Sequence, residues 1–262
     1  MDLGLRNRVA VVAAGSKGLG RAVAEELSAE GASVVICARG REALDATVAR
    51  IRDAGGRAHG VAADVSIAAD VARVVDEAVR AYGPVDILVT NSGGPKPGRF
   101  ESLTDADWDD ATRVLLTSAV GFTRAVLPGM RQRRWGRILN IASIAAKQPV
   151  DNLMLSNSLR AAVLAFARTL ANEVAADGVT VNNLLPGYTR TERVVELSEH
   201  LALTQATTPD AVVGRWEREI PMGRIGEPRE FAALAAFLAS DRASYITGQS
   251  MAVDGGWIKS VY

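Results

Sequence analysis

Short apolar runs separated by longer amphipathic stretches set the rhythm of this chain. Val9 to Ala14, Ser33 to Cys37, Ala58 to Ala63, Val85 to Thr90, Ile138 to Ala142, Thr180 to Leu185 and Ser250 to Val253 have the length and composition of strands. Between them, Leu19 to Glu30, Arg41 to Ala54, Ile67 to Tyr82, Asp105 to Met130, Ser156 to Ala176 and Pro228 to Ala239 carry apolar residues at helical spacing. Leu159, Val163, Phe166, Leu170 and Val174, for example, recur every three or four positions and predict one buried stripe. Strand and helix alternating this often predict an α/β fold with a doubly wound parallel sheet of about seven strands and helices on both faces, because each parallel connection needs a crossover. No linker or low-complexity segment divides the chain, so residues 1–262 are expected to form a single domain. The one long departure is Tyr188 to Ile220, polar at first and then carrying Leu197, Leu201, Leu203 and Trp216. It predicts either a substrate lid over about 188–220 or a packed excursion.

Composition narrows the function classes. Thirty basic residues balance thirty acidic ones, so no global field draws the chain to nucleic acid or to a membrane surface. The local run RQRRWGR, Arg131 to Arg137, reads as a solvated helix end leading into a strand. The single cysteine, Cys37, cannot form an intrachain disulfide and reads as a small core residue, which fits a reducing compartment. No run approaches the ~18 apolar residues of a membrane span, and the N-terminus lacks a basic start, so the expected location is cytoplasmic. His59 is expected at a strand edge and His200 on the lid, neither with a visible partner, and no residues are assigned to a metal.

The turn after the first strand carries the clearest chemistry. AAGSKGLG, Ala13 to Gly20, opens directly into a helix. Small residues there let the backbone approach a diphosphate, whose charge is favoured at a helix N-terminus. The turn therefore offers Gly15, Ser16, Lys17, Gly18, Leu19 and Gly20 to a dinucleotide. After the second strand a site for NAD would carry an acid against the ribose 2′-hydroxyl, yet the sequence there is Cys37, Ala38, Arg39. An arginine suits a 2′-phosphate through paired charge-assisted hydrogen bonds, and Lys17 adds a second positive charge, so NADP(H) is favoured over NAD(H).

From about Leu5 to Trp257 the chain resembles the short-chain dehydrogenase/reductase superfamily, whose fold is a Rossmann-type NAD(P)-binding domain. The glycine turn matches the family's. Asp64 and Val65 match its adenine-side pair, and Asn91, Ser92 and Gly93 stand where it has Asn-Ala-Gly. Ser143 ends the fifth strand at the position of its catalytic serine, while Pro186, Gly187, Thr189 and Thr191 lie in its Pro-Gly loop beside the nicotinamide. Gly223 to Arg229, Tyr245 to Gln249 and Val253 to Gly256 look closest to 3-oxoacyl carrier-protein reductases and glucose dehydrogenases. The resemblance implies an oxidoreductase interconverting a carbonyl and an alcohol, a small-molecule substrate, and a homo-oligomer, commonly a tetramer.

The departures from the family lie at the chemistry. Counting thirteen residues from Ser143 reaches Ser156 where the resemblance implies tyrosine, with Arg160 at the lysine position, and the family's asparagine in the preceding helix is Leu115. Ala13 and Ala14 replace the usual Thr-Gly, which implies an altered turn geometry. A serine hydroxyl is far less acidic than a phenol of pKa ~10, so Ser156 is a poor general acid and is expected instead to cap its helix. Arg160 stays charged and cannot relay a proton; it is left to hold ribose hydroxyls or to make a structural pair. Lys147, in the loop after Ser143, and Tyr188 are the other candidate acids, although a loop lysine is usually solvated and a tyrosine there commonly packs. Three function readings follow: an NADP(H)-dependent oxidoreductase with Ser143 polarising the oxygen, an NADP(H)-binding protein without redox turnover, or a different reaction in the same cleft, such as dehydration or isomerisation using Lys147.

Overall fold

The computed structural model describes residues 2–261, except the side chain of His200. Seven strands form one parallel sheet: β1 (Val9–Val12), β2 (Ser33–Ala38), β3 (Arg57–Ala62), β4 (Ile87–Thr90), β5 (Gly136–Ile141), β6 (Val179–Pro186) and β7 (Ser250–Val253), in the order β3-β2-β1-β4-β5-β6-β7. The central strands β1, β2 and β4 are buried along both faces because both are covered. Ala10 and Val12 enter one core with Leu27 of α1 (Gly18–Ala29), Leu44 of α2 (Arg41–Asp53) and Phe231 of a later helix. Val11 enters the opposite core with Val74 of α3 (Ala68–Tyr82). Chain direction along the sheet reverses at β1 and β4, so the turns that follow these two strands flank the crevice where α/β sheets take ligands.

The expected helix from Asp105 to Met130 is broken into α4 (Asp105–Thr112), one wide π turn over Arg113–Thr117, and α5 (Ser118–Arg133). Thr104 and Asp107 close α4 with a capping box. The hydroxyls of Thr112 and Ser118 bond back to the carbonyls of Trp108 and Val114, a pattern that bends helices and accommodates the wide turn at Leu115.

The next helix, α6 (Met154–Val174), corrects the reading of Ser156. Leu153 is its N-cap, with no side-chain cap, and Ser156 lies inside the first turn, buried. A tertiary contact starts the helix instead: Gly98 N–H donates to Asn152 O at 2.8 Å and Met154 N–H to Gly98 O at 3.4 Å, pinning the preceding loop. Asn157 then fixes that loop from the helix side, since its side chain accepts from Val150 N–H at 3.3 Å and donates to Val150 O at 2.9 Å.

Tyr188 to Ile220 folds into α7 (Glu192–Thr204) and α8 (Pro209–Glu219), which pack on each other through Ala202, Val212 and Trp216 in a cluster separate from both sheet cores. The last helix, α9 (Pro228–Ala239), supplies Phe231 to the first core.

Two further expectations change in three dimensions. Arg137 is buried rather than solvated: its guanidinium lies 4.3 Å over Trp135 and donates to the carbonyls of Ser240 and Gly136. A buried charge is tolerated when its donors are satisfied in this way. His59 on edge strand β3 does have a partner, Glu77, at 3.6 Å; the side chain of His200 lies outside the described residues. Cys37 is fully buried in a core, and that burial pushes its thiol up to about 11. Among the described residues, no helix is long and apolar enough to cross a membrane.

Candidate active site

The crevice at the C-terminal ends of β1 and β4 is closed by contacts that leave no room for Cβ atoms. A Cβ on Gly20 would lie 2.6 Å from Ala14 O and 2.8 Å from Asn91 Nδ2, and one on Gly15 2.7 Å from Ile36. Asn91 Nδ2 donates to Ala14 O at 3.2 Å, so the glycine turn and the turn after β4 are tied together. Ala14, where the resemblance implies glycine, takes φ +46, in the left-handed region a glycine occupies without cost. Ala14→Gly is accordingly expected to stabilise the fold by about 0.5–1 kcal/mol, read as a raised thermal midpoint.

Around this turn the sequence-assigned residues fall along one row of strand ends. Lys17 is exposed. Arg39, past the end of β2, has 80% of its side chain exposed and reaches Asp64 at 3.9 Å. The Ser66 N–H and hydroxyl, more than Arg39, hold the Asp64 carboxyl below the usual range. Val65 packs beside the second core, and the Ser92 hydroxyl turns to Gly93 O. Pro186 ends β6, and a Cβ on Gly187 would meet Asp254 at 2.7 Å. Thr189 is buried with its hydroxyl on Gly187 O, and Thr191 is the N-cap of α7. A basic, glycine-lined crevice without Cβ obstruction fits a dinucleotide with a 2′-phosphate.

Beneath these loops a polar ladder crosses four strands in register. Thr90 donates to Asn140 at 2.7 Å, Asn140 to Asn183 at 3.0 Å, and Asn183 to Ser250 at 3.0 Å. Such a satisfied buried chain fixes the heights of the strand ends relative to one another.

Ser143 follows β5 in extended conformation and accepts from Ala145 N–H at 3.1 Å, which leaves its O–H free to donate. Arg160 reaches the same place from α6: its Nη1 donates to Ala142 O at 2.8 Å and Ile141 O at 3.2 Å. Of the two roles left open for this arginine, the structural one is therefore occupied. The residue retains some surface, but its guanidinium lies deep; Nε is buried without a protein partner among the described residues, and desolvation pulls the pKa down to about 10. At that value it remains charged at neutral pH. Among the described residues Ser156 has no side-chain hydrogen bond, and Leu115 packs against Leu155 and Leu159 in a small apolar cluster. Lys147 is exposed beyond the turn that follows Ser143. Tyr188 stacks on Trp216 at 4.8 Å and meets Trp257 edge-on, and burial, with Glu219, pushes its phenol up. Sequence reasoning missed Glu192, whose carboxylate crosses from α7 to Gly18 and Arg21; the only signal was an acid directly after Thr191.

A doubly wound parallel sheet with a glycine turn at its switch point defines a Rossmann-type fold. Residues 13–258 match the family model described as enoyl-(acyl carrier protein) reductase. The chain belongs to that family, within the short-chain dehydrogenase/reductase superfamily, and is an oxidoreductase by that membership. It is 38% identical to the short-chain reductase protein NovJ of Streptomyces niveus, over 95% of this chain and 93% of that protein. It is 33% identical to the 3-oxoacyl-[acyl-carrier-protein] reductase FabG of Haemophilus influenzae, over 96% and 98%. Among solved structures it matches L-sorbose reductase from Gluconobacter frateurii complexed with NADPH and L-sorbose, with a TM-score of 0.96, 33% identity and full coverage of both chains.

Proposed function

We propose that this chain is an NADP(H)-dependent reductase that interconverts a ketone and a secondary alcohol, of 3-oxoacyl-reductase type. The observation that carries the reading is the Ser143 hydroxyl, held by Ala145 with its proton free, beside a crevice built for a dinucleotide. The backbone of Gly15 to Gly20 receives the diphosphate, and Arg39 and Lys17 receive the 2′-phosphate. Asp64 and Val65 flank the adenine, and Asn91, Ser92, Gly93 and the Pro186 to Thr191 loop enclose the remainder. Bound NADPH supplies the hydride. Ser143 donates to the substrate oxygen and stabilises the charge that develops there. Ser156 and Arg160, at the positions of the family's tyrosine and lysine, supply no comparable acid, so water reaching the crevice delivers the proton. The NADPH complex of a relative at 33% identity supports the cofactor. The named reductase relatives support carbonyl chemistry and lend nothing to a reading without turnover. The homo-oligomer implied by resemblance, a tetramer through α5 and α6, belongs to this proposal.

The test is NADPH oxidation against a panel of 3-oxoacyl thioesters, cyclic ketones and keto sugars. Ser143→Ala is expected to lower kcat by about 100-fold while NADPH affinity, measured by fluorescence, stays unchanged. NADPH binding with no turnover on any ketone would sink the reductase reading.

A further inference from the structure

The turn that carries Ser143 is seated on a small apolar cluster of its own. Ala142, Ile144 and Leu185 are buried there, and Leu164 of α6, Trp257 and Ile258 pack against them. This cluster is separate from both sheet cores, so the burial of Ile144 in it is what holds the turn down on the sheet. Backbone bonds give the turn its shape, since Ala146 N–H donates to Ser143 O at 3.1 Å and Lys147 N–H to Ile144 O at 2.9 Å. They are local and do not fix its height. Among the described residues, the last backbone hydrogen bond from this stretch to the sheet comes one residue before Ser143, where Ala142 N–H donates to Leu184 O at 2.9 Å.

The stretch after β7 is built to deliver the cover. Asp254 accepts from Gly256 N–H at 2.9 Å through Oδ1 and from Ile258 N–H at 2.8 Å through Oδ2. Gly255 and Gly256 take φ +65 and +87, so the chain turns tightly here and brings Trp257 and Ile258 onto the cluster. At the far end of the Ser143 turn the Gln148 side chain accepts from Lys259 N–H at 3.1 Å, 111 positions further along the chain. Trp257 also meets the opposite wall. Its Nε1 donates to Oε2 of Glu219, the last residue of α8, at 3.3 Å, and its ring stands edge-on to Tyr188 at 6.2 Å. The indole therefore joins the Ser143 turn to the α7–α8 segment.

We propose that Trp257 is a positioning residue for Ser143: its ring, with Ile258, seats Ile144 and so sets where the Ser143 hydroxyl meets the substrate oxygen. This rests on the reading of Ser143 as the donor to that oxygen. The effect is geometric. A hydroxyl that stabilises a developing charge acts only at hydrogen-bond distance, so a turn that lifts by part of an ångström loses much of that stabilisation. The glycine turn that receives the dinucleotide follows β1, two strands away from β5, and keeps its place. The indole N–H bond to Glu219 is exposed and of little weight, which leaves the ring as the working part.

Steady-state kinetics on the ketone panel, arranged as a double-mutant cycle, test this. Trp257→Ala is expected to lower kcat by about tenfold, with NADPH Kd within about twofold of the parent. Trp257→Phe, which keeps a ring over Ile144, should restore most of that loss, and Glu219→Ala, which removes only the acceptor of the indole N–H, should match the parent. In a Ser143→Ala background Trp257→Ala should cost less than about twofold further, because the group it positions is gone. Losses that add in full would overturn the proposal, as would an unchanged kcat or a fall in NADPH affinity that matches the fall in kcat. Hydrogen exchange on the cofactor-free protein gives a readout free of the reaction: the amides of Ala145 to Gln148 should exchange faster in Trp257→Ala while the strands stay protected, and unchanged exchange there would overturn the proposal. Should Trp257→Ala not fold, Ile258→Ala, which removes the aliphatic part of the cover, is put through the same cycle and exchange measurement. If the parent reduces no ketone, the functional reading fails, whereas the exchange measurement still decides whether Trp257 holds the turn down.

Discussion

Ser156→Tyr combined with Arg160→Lys is expected to raise NADPH-dependent ketone reduction by about two orders of magnitude, the lower end of what a positioned general acid contributes. The phenol would start from α6 in its first turn, where Ser156 is buried and, among the described residues, makes no side-chain hydrogen bond that the substitution would break. The residue four places on stands on the same face of the helix. A lysine there supplies the cation that lowers a phenol toward neutrality, and its single flexible ammonium is freer to turn to the cofactor than a guanidinium. Arg160 in the parent is committed to the carbonyls of Ile141 and Ala142, so Ser156→Tyr alone is expected to gain less than the pair. Initial rates against the best ketone of the panel, with NADPH affinity measured alongside, make the comparison. Unchanged turnover with intact NADPH binding would show that the proton reaches the substrate oxygen by a route this helix does not control.

Gly20→Ala is expected to weaken NADPH binding by at least about 100-fold and to lower the thermal midpoint, because the added methyl meets backbone on two sides and the hydrogen-bonded Asn91 amide. Its Cβ would stand 2.6 Å from Ala14 O, 2.8 Å from Asn91 Nδ2 and 3.0 Å from Gly15 Cα. Relief requires moving the glycine turn off the turn after β4 and breaking the Asn91 to Ala14 hydrogen bond, which is the contact that closes the floor of the crevice. Gly40→Ala, with nothing within 4 Å of its Cβ, is the matched control and should bind NADPH as the parent does. Fluorescence titration and thermal unfolding of both variants decide it; equal affinity for Gly20→Ala and the parent would remove the cradle from the argument.

By itself the sequence determined the seven parallel strands, the glycine turn and most of the helices, since each is set by a local periodicity or by small residues at a turn; the wide turn that divides Asp105 to Met130 and the two helices of Tyr188 to Ile220 emerged only in the fold. Counting along the fifth strand and the helix after it puts Ser143, Ser156 and Arg160 at the positions where the resemblance implies serine, tyrosine and lysine. Where the side chains of Ser156 and Arg160 point was decided only by tertiary structure. Leu153 begins α6 because Gly98, over fifty residues earlier, pins the loop before it, so Ser156 is drawn inside the helix and leaves the cap. Arg160 turns to the end of β5, where it donates to the carbonyls of Ile141 and Ala142, and nothing near Arg160 in sequence announces them. Ala14 takes a positive φ with its carbonyl held by the Asn91 side chain, which arrives from the turn after β4. Glu192 meets Gly18 across 174 positions of chain. Side-chain direction in each case follows from donors and acceptors that only the folded sheet brings together, and local pattern carries no information about such distant partners.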